Sequence, residues 1–412
     1  MQPAGDCIVA AQHEPLYVER ARTAPPAMAP DKRDACMRTK IMFVINSLAG
    51  GGAERIMAIL LTSSVAQAEQ YDIVLVLLDR DEEAYTLPEW LRVIRLDCGH
   101  SFTRSLREAW RVIRAESPDL TLSFLTRANV VTAAVMAILR KPFILSERVN
   151  TLAHLGDGGS AALSKWMLRK TYPRATRICA VSEGVAATLV SHFGVARERI
   201  AVVANPVDIE RIIMLAAQAP APPLSTPYVA AMGRLVPNKN FTMAIEAFAR
   251  SGLQGNLVIM GQGPQEAELR QLASRLGIGE RVILMGFVVN PYAVIARADI
   301  MLLTSNAEGF PNALVEAMAA GAPVVATDCA SGPAEVLDAH LGGRRAPAEG
   351  RGGLLVPVND VESAATALRQ MSDPAIRARF IESGQNRVKE FSVSRAVGRY
   401  WALIEEALGA RT

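Results

Sequence analysis

Two carboxylates eight positions apart are the first residues in this chain whose spacing suggests chemistry: Glu308 and Glu316 bound the run Glu308-Gly-Phe-Pro-Asn-Ala-Leu-Val-Glu316. A carboxylate accepts paired hydrogen bonds from vicinal hydroxyls, so two of them flanking an anion seat suit a sugar on one side and a ribose on the other. The seat itself is written between them. A short apolar run, 300–303, leads into Thr304-Ser-Asn-Ala-Glu308, and residues 313–320 read as a helix stopped by Gly321, with Pro311 suited to its first turn. The free N–H groups at such a helix start attract phosphate. The cationic half is Gly233-Arg234-Leu-Val-Pro-Asn-Lys239, in which Arg234 offers a planar fork and Lys239 a mobile point charge. Taken singly, carboxylates at this spacing are more often solvated or capping residues, and the weight lies in finding both halves in order along one chain.

These groups need elements that bring them to one place. Short apolar runs alternate with helical stretches at 40–46, 73–78, 93–96, 120–124, 143–145, 178–181 and 200–203, and a second series follows the Pro-rich stretch 219–227, at 228–232, 257–260, 282–285, 300–303 and 324–326. The same βα architecture is written twice. The expected layout is a first α/β domain over 38–208, a second over 209–393, and a terminal segment, 394–412, with no strand after it to pair with. Within that segment the helix is expected from about Arg395, capped by Ser394 and crossing back onto the first domain. Residues 1–37 carry five prolines and two cysteines without a sustained period and read as a poorly ordered extension, with Met37 a second candidate start. In doubly wound sheets ligands sit at the carboxyl ends of the strands, which is where both halves of the constellation fall.

Composition narrows the classes. A chain of 412 residues exceeds what one core supports, and half of it is hydrophobic with only 5% aromatic, which suits parallel strands covered on both faces by helices. The 44 basic and 41 acidic residues leave a net charge of +3, too balanced for a nucleic-acid partner. Five scattered cysteines without a CxxC pair spell neither a disulfide framework nor a zinc site and fit a cytoplasmic protein. No apolar run reaches the roughly 18 residues of a spanning helix, so a soluble or peripherally bound protein is expected.

At this point the chain resembles the large retaining glycosyltransferase family four, whose GT-B fold sets two Rossmann-like lobes face to face. The resemblance runs over about residues 38–405 and rests on Gly233-Arg-Leu with Lys239, Gly261-Gln-Gly-Pro264, Gly286-Phe287 and the Glu308 to Glu316 run. It implies that Arg234 and Lys239 bind the donor pyrophosphate, that Glu308 contacts donor-sugar hydroxyls and that Glu316 holds the ribose. The backbone at Gly309, Phe310, Pro311, Asn312, Ala313 and Leu314 would complete the cradle, and Phe287 with Val288 would face the base. Gly50-Gly51-Gly52-Ala-Glu-Arg55 resembles the loop that approaches donor phosphate and acceptor in members building bacterial surface polysaccharides and lipid-linked glycans from UDP-sugars. The implied reaction is retaining and metal-independent, needs no cofactor, and proceeds by front-face attack. Asp79-Arg-Asp81, the nearest thing to a metal-binding pair, reads instead as a solvated turn.

One departure matters. Many members carry a histidine after the fourth strand of the first lobe, whereas this chain has none between His100 and His154. Asn129, Glu147 and Arg148 are the candidates for acceptor binding in its place. A further candidate is a stripe of arginines, Arg104, Arg107, Arg111 and Arg114, spaced three, four and three apart on one helix, with Glu108 off the stripe. It would grip the pyrophosphate of a polyprenyl-linked acceptor, and with Lys165, Arg169, Lys170, Arg174 and Arg177 beside Trp166 it would rest the first lobe on an anionic inner leaflet. Three other readings are weaker. A nicotinamide-dependent oxidoreductase fails because Arg55 stands where the third glycine should be. A nucleotide-sugar epimerase or hydrolase shares the fold, and a non-catalytic nucleotide-sugar binder would be expected to have lost Lys239 or Glu308.

Overall fold

The computed structural model describes residues 38–149, 159–343 and 347–410. The extension assigned to residues 1–37 lies outside them, as do residues 411–412 of the terminal segment. Seven strands form the first sheet: β1 (Lys40–Ile45), β2 (Asp72–Leu77), β3 (Arg92–Arg95), β4 (Leu120–Phe124), β5 (Phe143–Glu147), β6 (Arg177–Ala180) and β7 (Ile200–Val202). They lie in the order β3-β2-β1-β4-β5-β6-β7 and every pair is parallel. The second sheet holds β8 (Tyr228–Met232), β9 (Asn256–Met260), β10 (Val282–Gly286), β11 (Ile300–Leu303), β12 (Val324–Thr327), β13 (Ala348–Gly350) and β14 (Gly353–Val356). Its order is β10-β9-β8-β11-β12-β14-β13, parallel except for β13 against β14. The central strands are Val-, Ile- and Leu-rich and buried on both faces, as parallel strands covered by helices must be.

Each sheet reverses its winding beside its first strand, between β1 and β4 and between β8 and β11. Helices leave to opposite faces there, and the carboxyl ends of the strands open a crevice. The chain is therefore two Rossmann-like α/β lobes. The antiparallel β13 and β14 are an addition that the sequence reading missed. Their apolar run is short and follows the Arg351-Gly352 turn rather than a helix, so no βα signal announces it.

The helix Val393–Gly409 returns to the first lobe. Its Val397, Tyr400, Trp401, Leu403 and Ile404 share one buried cluster with Ile41, Phe43 and Ile45 of β1. It starts slightly earlier than its sequence suggests, with Ser392 at the cap and Ser394 already inside the first turn. The reason is a tertiary pairing: Val207 bridges Ser392, and the Val207 N–H donates to the Phe391 carbonyl at 2.8 Å, so extended backbone ends at Ser392. Trp401 stacks on Tyr71 with ring centroids 5.3 Å apart, meets Phe43 edge-on at 6.4 Å, and its indole N–H donates to Ser64 Oγ at 2.8 Å. Trp401→Ala removes the largest side chain of this contact and its hydrogen bond. It is expected to destabilise the protein by about 3–5 kcal/mol, read as a shift in the denaturation midpoint by circular dichroism. An unchanged midpoint would mean that the helix docks without contributing to the fold.

Candidate active site

The loops that follow β1, β8 and β11 meet across the crevice around a cavity of about 480 Å3. Its walls come from both lobes. The first supplies Gly50, Gly51, Gly52, Arg55 and Tyr85; the second supplies Gly233, Arg234, Lys239, Tyr292, Glu308, Phe310, Pro311, Asn312, Ala313 and Glu316, together with Met232 and Pro291. Both halves of the constellation read from the sequence thus line one cavity.

The second-lobe wall is held by local bonds that its sequence makes possible. Asn240 adopts a left-handed conformation (φ 49°) to cap the helix Phe241–Ser251, and its side-chain oxygen accepts from the Met243 N–H. That turn ends the Arg234 to Lys239 loop and aims it at the loop after β11. There Thr304 Oγ1 donates to the Lys239 and Asn240 carbonyls at 3.1 and 2.9 Å, and Asn238 Nδ2 donates to the Ala307 carbonyl at 2.7 Å. Lys239 Nζ consequently reaches Glu308 Oε1 at 2.5 Å, and Ser305 Oγ donates to the same oxygen at 2.6 Å. The Arg234 guanidinium, by contrast, is exposed on the cavity wall with no hydrogen-bond or ion-pair partner among the described residues.

Glu316 lies in the helix Asn312–Ala319, where Pro311 stands at the N-cap, one position outside the helix, rather than in its first turn. Its partner comes from the other lobe: Arg55, in the helix Gly52–Thr62, places a terminal nitrogen 2.6 Å from Glu316 Oε1. The carboxylate is only 7% exposed, so its attraction for the guanidinium is little screened and holds the Arg55 pKa above its usual value. Sequence reasoning named Arg55 only as the end of the Gly50 to Arg55 loop expected near donor phosphate and acceptor, because nothing in Ala53-Glu54-Arg55 indicates that this one side chain would cross the crevice to a carboxylate.

Other contacts seal the lobes around the cavity. The Glu335 carboxylate accepts from the N–H groups of Glu183 and Gly184 at 2.6 and 2.9 Å, so a second-lobe anion caps the positive end of the first-lobe helix Glu183–Phe193. A Cβ on Gly184 would lie 2.4 Å from the Ala330 carbonyl, and one on Gly309 would lie 2.6 Å from the Arg148 carbonyl. Neither position has room for a side chain.

The remaining sequence candidates are placed differently. Leu314 is buried in the core and is absent from the cavity wall, and Gly309 faces the first-lobe backbone. Phe287, 63% exposed, and Val288 also lie outside the wall, where Pro291 and Tyr292 stand instead. Asn129, Glu147 and Arg148, the candidates for acceptor contact, are all buried and bonded internally. Asn129 accepts from Ser123 Oγ at 2.8 Å and donates to the Ser146 carbonyl at 3.0 Å, Glu147 accepts from Tyr172 Oη at 2.6 Å, and Arg148 bonds Tyr400 and Asn205. Asn129 lies on the helix Thr126–Leu139 after β4, Glu147 ends β5 and Arg148 follows it, and all three spend their polar groups inside the protein.

Asp79 is not in a solvated turn either. It is buried and accepts from Arg127 and from the His100 N–H at 2.9 Å. Burial alone would raise its carboxyl, but Arg127 and His100 together hold it below its ordinary value. Asp81 and His100 approach Asp79 closely enough for a three-ligand group, yet both Asp79 oxygens are already engaged. Arg127 occupies the start of the helix after β4, where the family histidine was sought, and it braces the β2 loop from there. The arginine stripe lies on the helix Phe102–Glu116, capped by Ser101, with Arg104, Arg107, Arg111 and Arg114 all exposed. Glu108 is less detached from the stripe than its spacing suggests: it lies 3.9 Å from Arg107 and 3.2 Å from Arg111.

Comparison with known proteins agrees with this geometry. Residues 50–211 match the profile described as Glycosyltransferase Family 4, and residues 216–387 match Glycosyl transferases group 1. The N-acetylgalactosamine-N,N'-diacetylbacillosaminyl-diphospho-undecaprenol 4-alpha-N-acetylgalactosaminyltransferase of Campylobacter jejuni is 27% identical over 365 residues, covering 85% of this chain and 95% of that one. The lipopolysaccharide core biosynthesis glycosyltransferase LpsE of Rhizobium meliloti is 29% identical over 71% of this chain and 77% of its own. Among solved structures, Anabaena Alr3699/HepE in complex with UDP-glucose superposes with a TM-score of 0.68 at 20% identity, over 90% of this chain and 100% of that one, a likeness that carries the fold. With one profile on each lobe, this fold, and a cavity between the lobes lined by the Glu308 to Glu316 run, the chain belongs to glycosyltransferase family four and is a glycosyltransferase of the GT-B fold.

Proposed function

We propose that this glycosyltransferase moves a hexose or N-acetylhexosamine from a UDP-sugar to a lipid-linked glycan acceptor in cell-surface polysaccharide synthesis, with retention at the anomeric carbon. The observation that carries the reading is the unpartnered Arg234 guanidinium beside Lys239, on a cavity wall that also bears two carboxylates and a helix start. A donor diphosphate supplies the anion that Arg234 lacks. Glu308 and Glu316 then take hydroxyls of the sugar and the ribose. The undecaprenol-linked substrate in the name of the Campylobacter relative supports the acceptor class, and the UDP-glucose complex of the Anabaena protein supports the donor class.

In the proposed step the bond from the anomeric carbon to the phosphate oxygen breaks and the acceptor oxygen bonds to the same face. The acceptor proton passes to the departing phosphate oxygen, so the leaving group is also the base. Charge grows on the diphosphate as the bond stretches. Lys239 is held by Glu308 before that charge appears, and Arg234 stands beside it free to take up the growing charge, so both stabilise the transition state more than the bound substrate. Lys239→Ala and Arg234→Ala are each expected to lower turnover by at least ~10²-fold with modest loss of fold stability, the larger loss falling on Lys239→Ala because Glu308 loses its cation. The assay is transfer and nucleotide release across a panel of UDP- and GDP-sugars with a polyprenyl-diphosphate-linked acceptor. Near-normal turnover in either variant at saturating donor would sink the assignment, and release of free sugar without transfer would favour a hydrolase.

Arg55 follows from the same charge pattern. Its removal leaves Glu316 as an unpaired, nearly buried carboxylate facing an incoming diphosphate. Arg55→Ala is therefore expected to weaken UDP binding by about tenfold, near 1.4 kcal/mol, measured by calorimetry, and Arg55→Lys is expected to recover part of it. Unchanged affinity would show that Glu316 needs no cross-lobe partner.

The acceptor reading places the exposed Arg104 to Arg114 stripe against anionic headgroups or the lipid diphosphate, and Leu163 and Trp166, each 57% exposed on the helix Gly159–Thr171, offer apolar contacts to the same leaflet. No helix among the described residues is long and apolar enough to cross a membrane, so contact of this kind would be peripheral. Basic residues near such a surface contribute about 1 kcal/mol each. Arg107→Ala/Arg111→Ala is expected to reduce flotation with anionic liposomes and to raise KM for the lipid-linked acceptor but not for a soluble analogue. Equal behaviour on both acceptors and unchanged flotation would reduce the stripe to a solvated face.

A further inference from the structure

Among the described residues the chain crosses between the lobes twice, and the two crossings run side by side. The outgoing one passes through Asn205 to Asp208, and the returning one passes through Phe391 and Ser392 into the terminal helix, with Val207 bridging Ser392. Any rotation of one lobe against the other must pivot there, because hinges lie where few residues absorb the backbone change. A single guanidinium ties the outgoing crossing to the terminal helix into which the returning one leads. Arg148, just after β5 and 6% exposed, donates from one terminal nitrogen to Tyr400 Oη on the returning helix and from the other to Asn205 Oδ1 on the outgoing segment. Its plane is held by two rings, with its central carbon 5.1 Å from the centroid of Phe124 and 5.9 Å from that of Tyr400.

The contact continues into the cavity. Asn205, 5% exposed, uses its amide nitrogen to donate to Asn312 Oδ1 at 2.8 Å. Asn312 is the first residue of the helix that carries Glu316, and it lines the cavity. The Arg148 carbonyl meanwhile abuts Gly309 on the same second-lobe loop. Side-chain bonds therefore run from the terminal helix through Arg148 and Asn205 to the donor helix. A guanidinium suits this task because its donors form a rigid planar fork, so bonding two acceptors at once sets an angle as well as a distance; an ammonium sets neither.

We propose that Arg148 is a positioning residue: it pins the outgoing crossing to the terminal helix and, through Asn205, sets the Asn312 helix in the register at which the first lobe meets the donor cavity. The inference rests on the reading of that cavity as the donor site. Reaction needs groups from both lobes placed within a fraction of an ångström, whereas the donor's own contacts lie mostly on the second lobe, so a slipped register lowers turnover more than donor affinity.

Three variants separate the links. Arg148→Lys keeps the charge and loses the fork. Asn205→Asp keeps an oxygen for Arg148 and loses the amide donor to Asn312. Asn205→Ala loses both. Each is expected to lower kcat about 10- to 100-fold while the Kd for UDP changes less than about threefold, and the double variant Arg148→Lys/Asn205→Ala is expected to be no worse than the poorer single variant, as members of one chain should be. Wild-type kcat in Asn205→Asp, or multiplied losses in the double variant, would overturn the proposal. Small-angle X-ray scattering without ligand gives a readout independent of the donor: Arg148→Lys and Asn205→Asp are expected to show a larger radius of gyration than the wild type, and identical scattering would also overturn the proposal. A wild type that binds no UDP, with scattering that still distinguishes the variants, would sink the donor reading alone.

Discussion

A nearly buried carboxylate cannot be left without a cation, and in this protein the cation for Glu316 comes from the opposite lobe. That constraint ties the crevice between the lobes to the arrangement of the whole chain. If the lobes part, Glu316 loses Arg55, the first-lobe helix at Glu183 loses the carboxylate of Glu335, and Asn312 loses Asn205. The cavity exists only while these contacts hold together, so its shape is a property of the interface and of neither lobe taken singly.

The terminal helix serves the same end from behind. It is the last element of the chain, yet its Tyr400 and Trp401 are buried against the first sheet, and Tyr400 also meets the Arg148 guanidinium. Crossing back makes the connection between lobes double. A single linker leaves torsion free, whereas two adjacent crossings restrict motion to a hinge about their common line. Under the proposed reaction, a site that admits a diphosphate donor and then excludes water needs motion of this limited kind.

Charge in the cavity is arranged in matched pairs with one left over. Lys239 faces Glu308 and Arg55 faces Glu316, while Arg234 faces solvent. Under the proposed donor reading, carboxylates paired in this way accept hydroxyl hydrogen bonds without repelling a diphosphate, and the spare guanidinium supplies net attraction. The pairs also fix both carboxylates before any ligand arrives, and such preorganisation lowers the cost of reorganising charge during reaction.

The sequence by itself determined the double βα pattern, the place of Glu308, Glu316, Arg234 and Lys239 at strand ends, and the helix start between the two carboxylates. These follow from local rules: apolar periodicity, turn residues and helix stops act over a few positions and remain visible in one dimension. Only the tertiary structure decided which polar residues face the cavity. Asn129, Glu147 and Arg148 looked available in sequence and are buried, because the strands they follow are covered on both faces; Asp79, read as solvated, is held by Arg127 from another helix. Arg55, named only within its loop, and Asn205 received no site role for the converse reason. Their partners stand 261 and 107 positions away, and a contact between distant segments leaves no periodic trace near either residue.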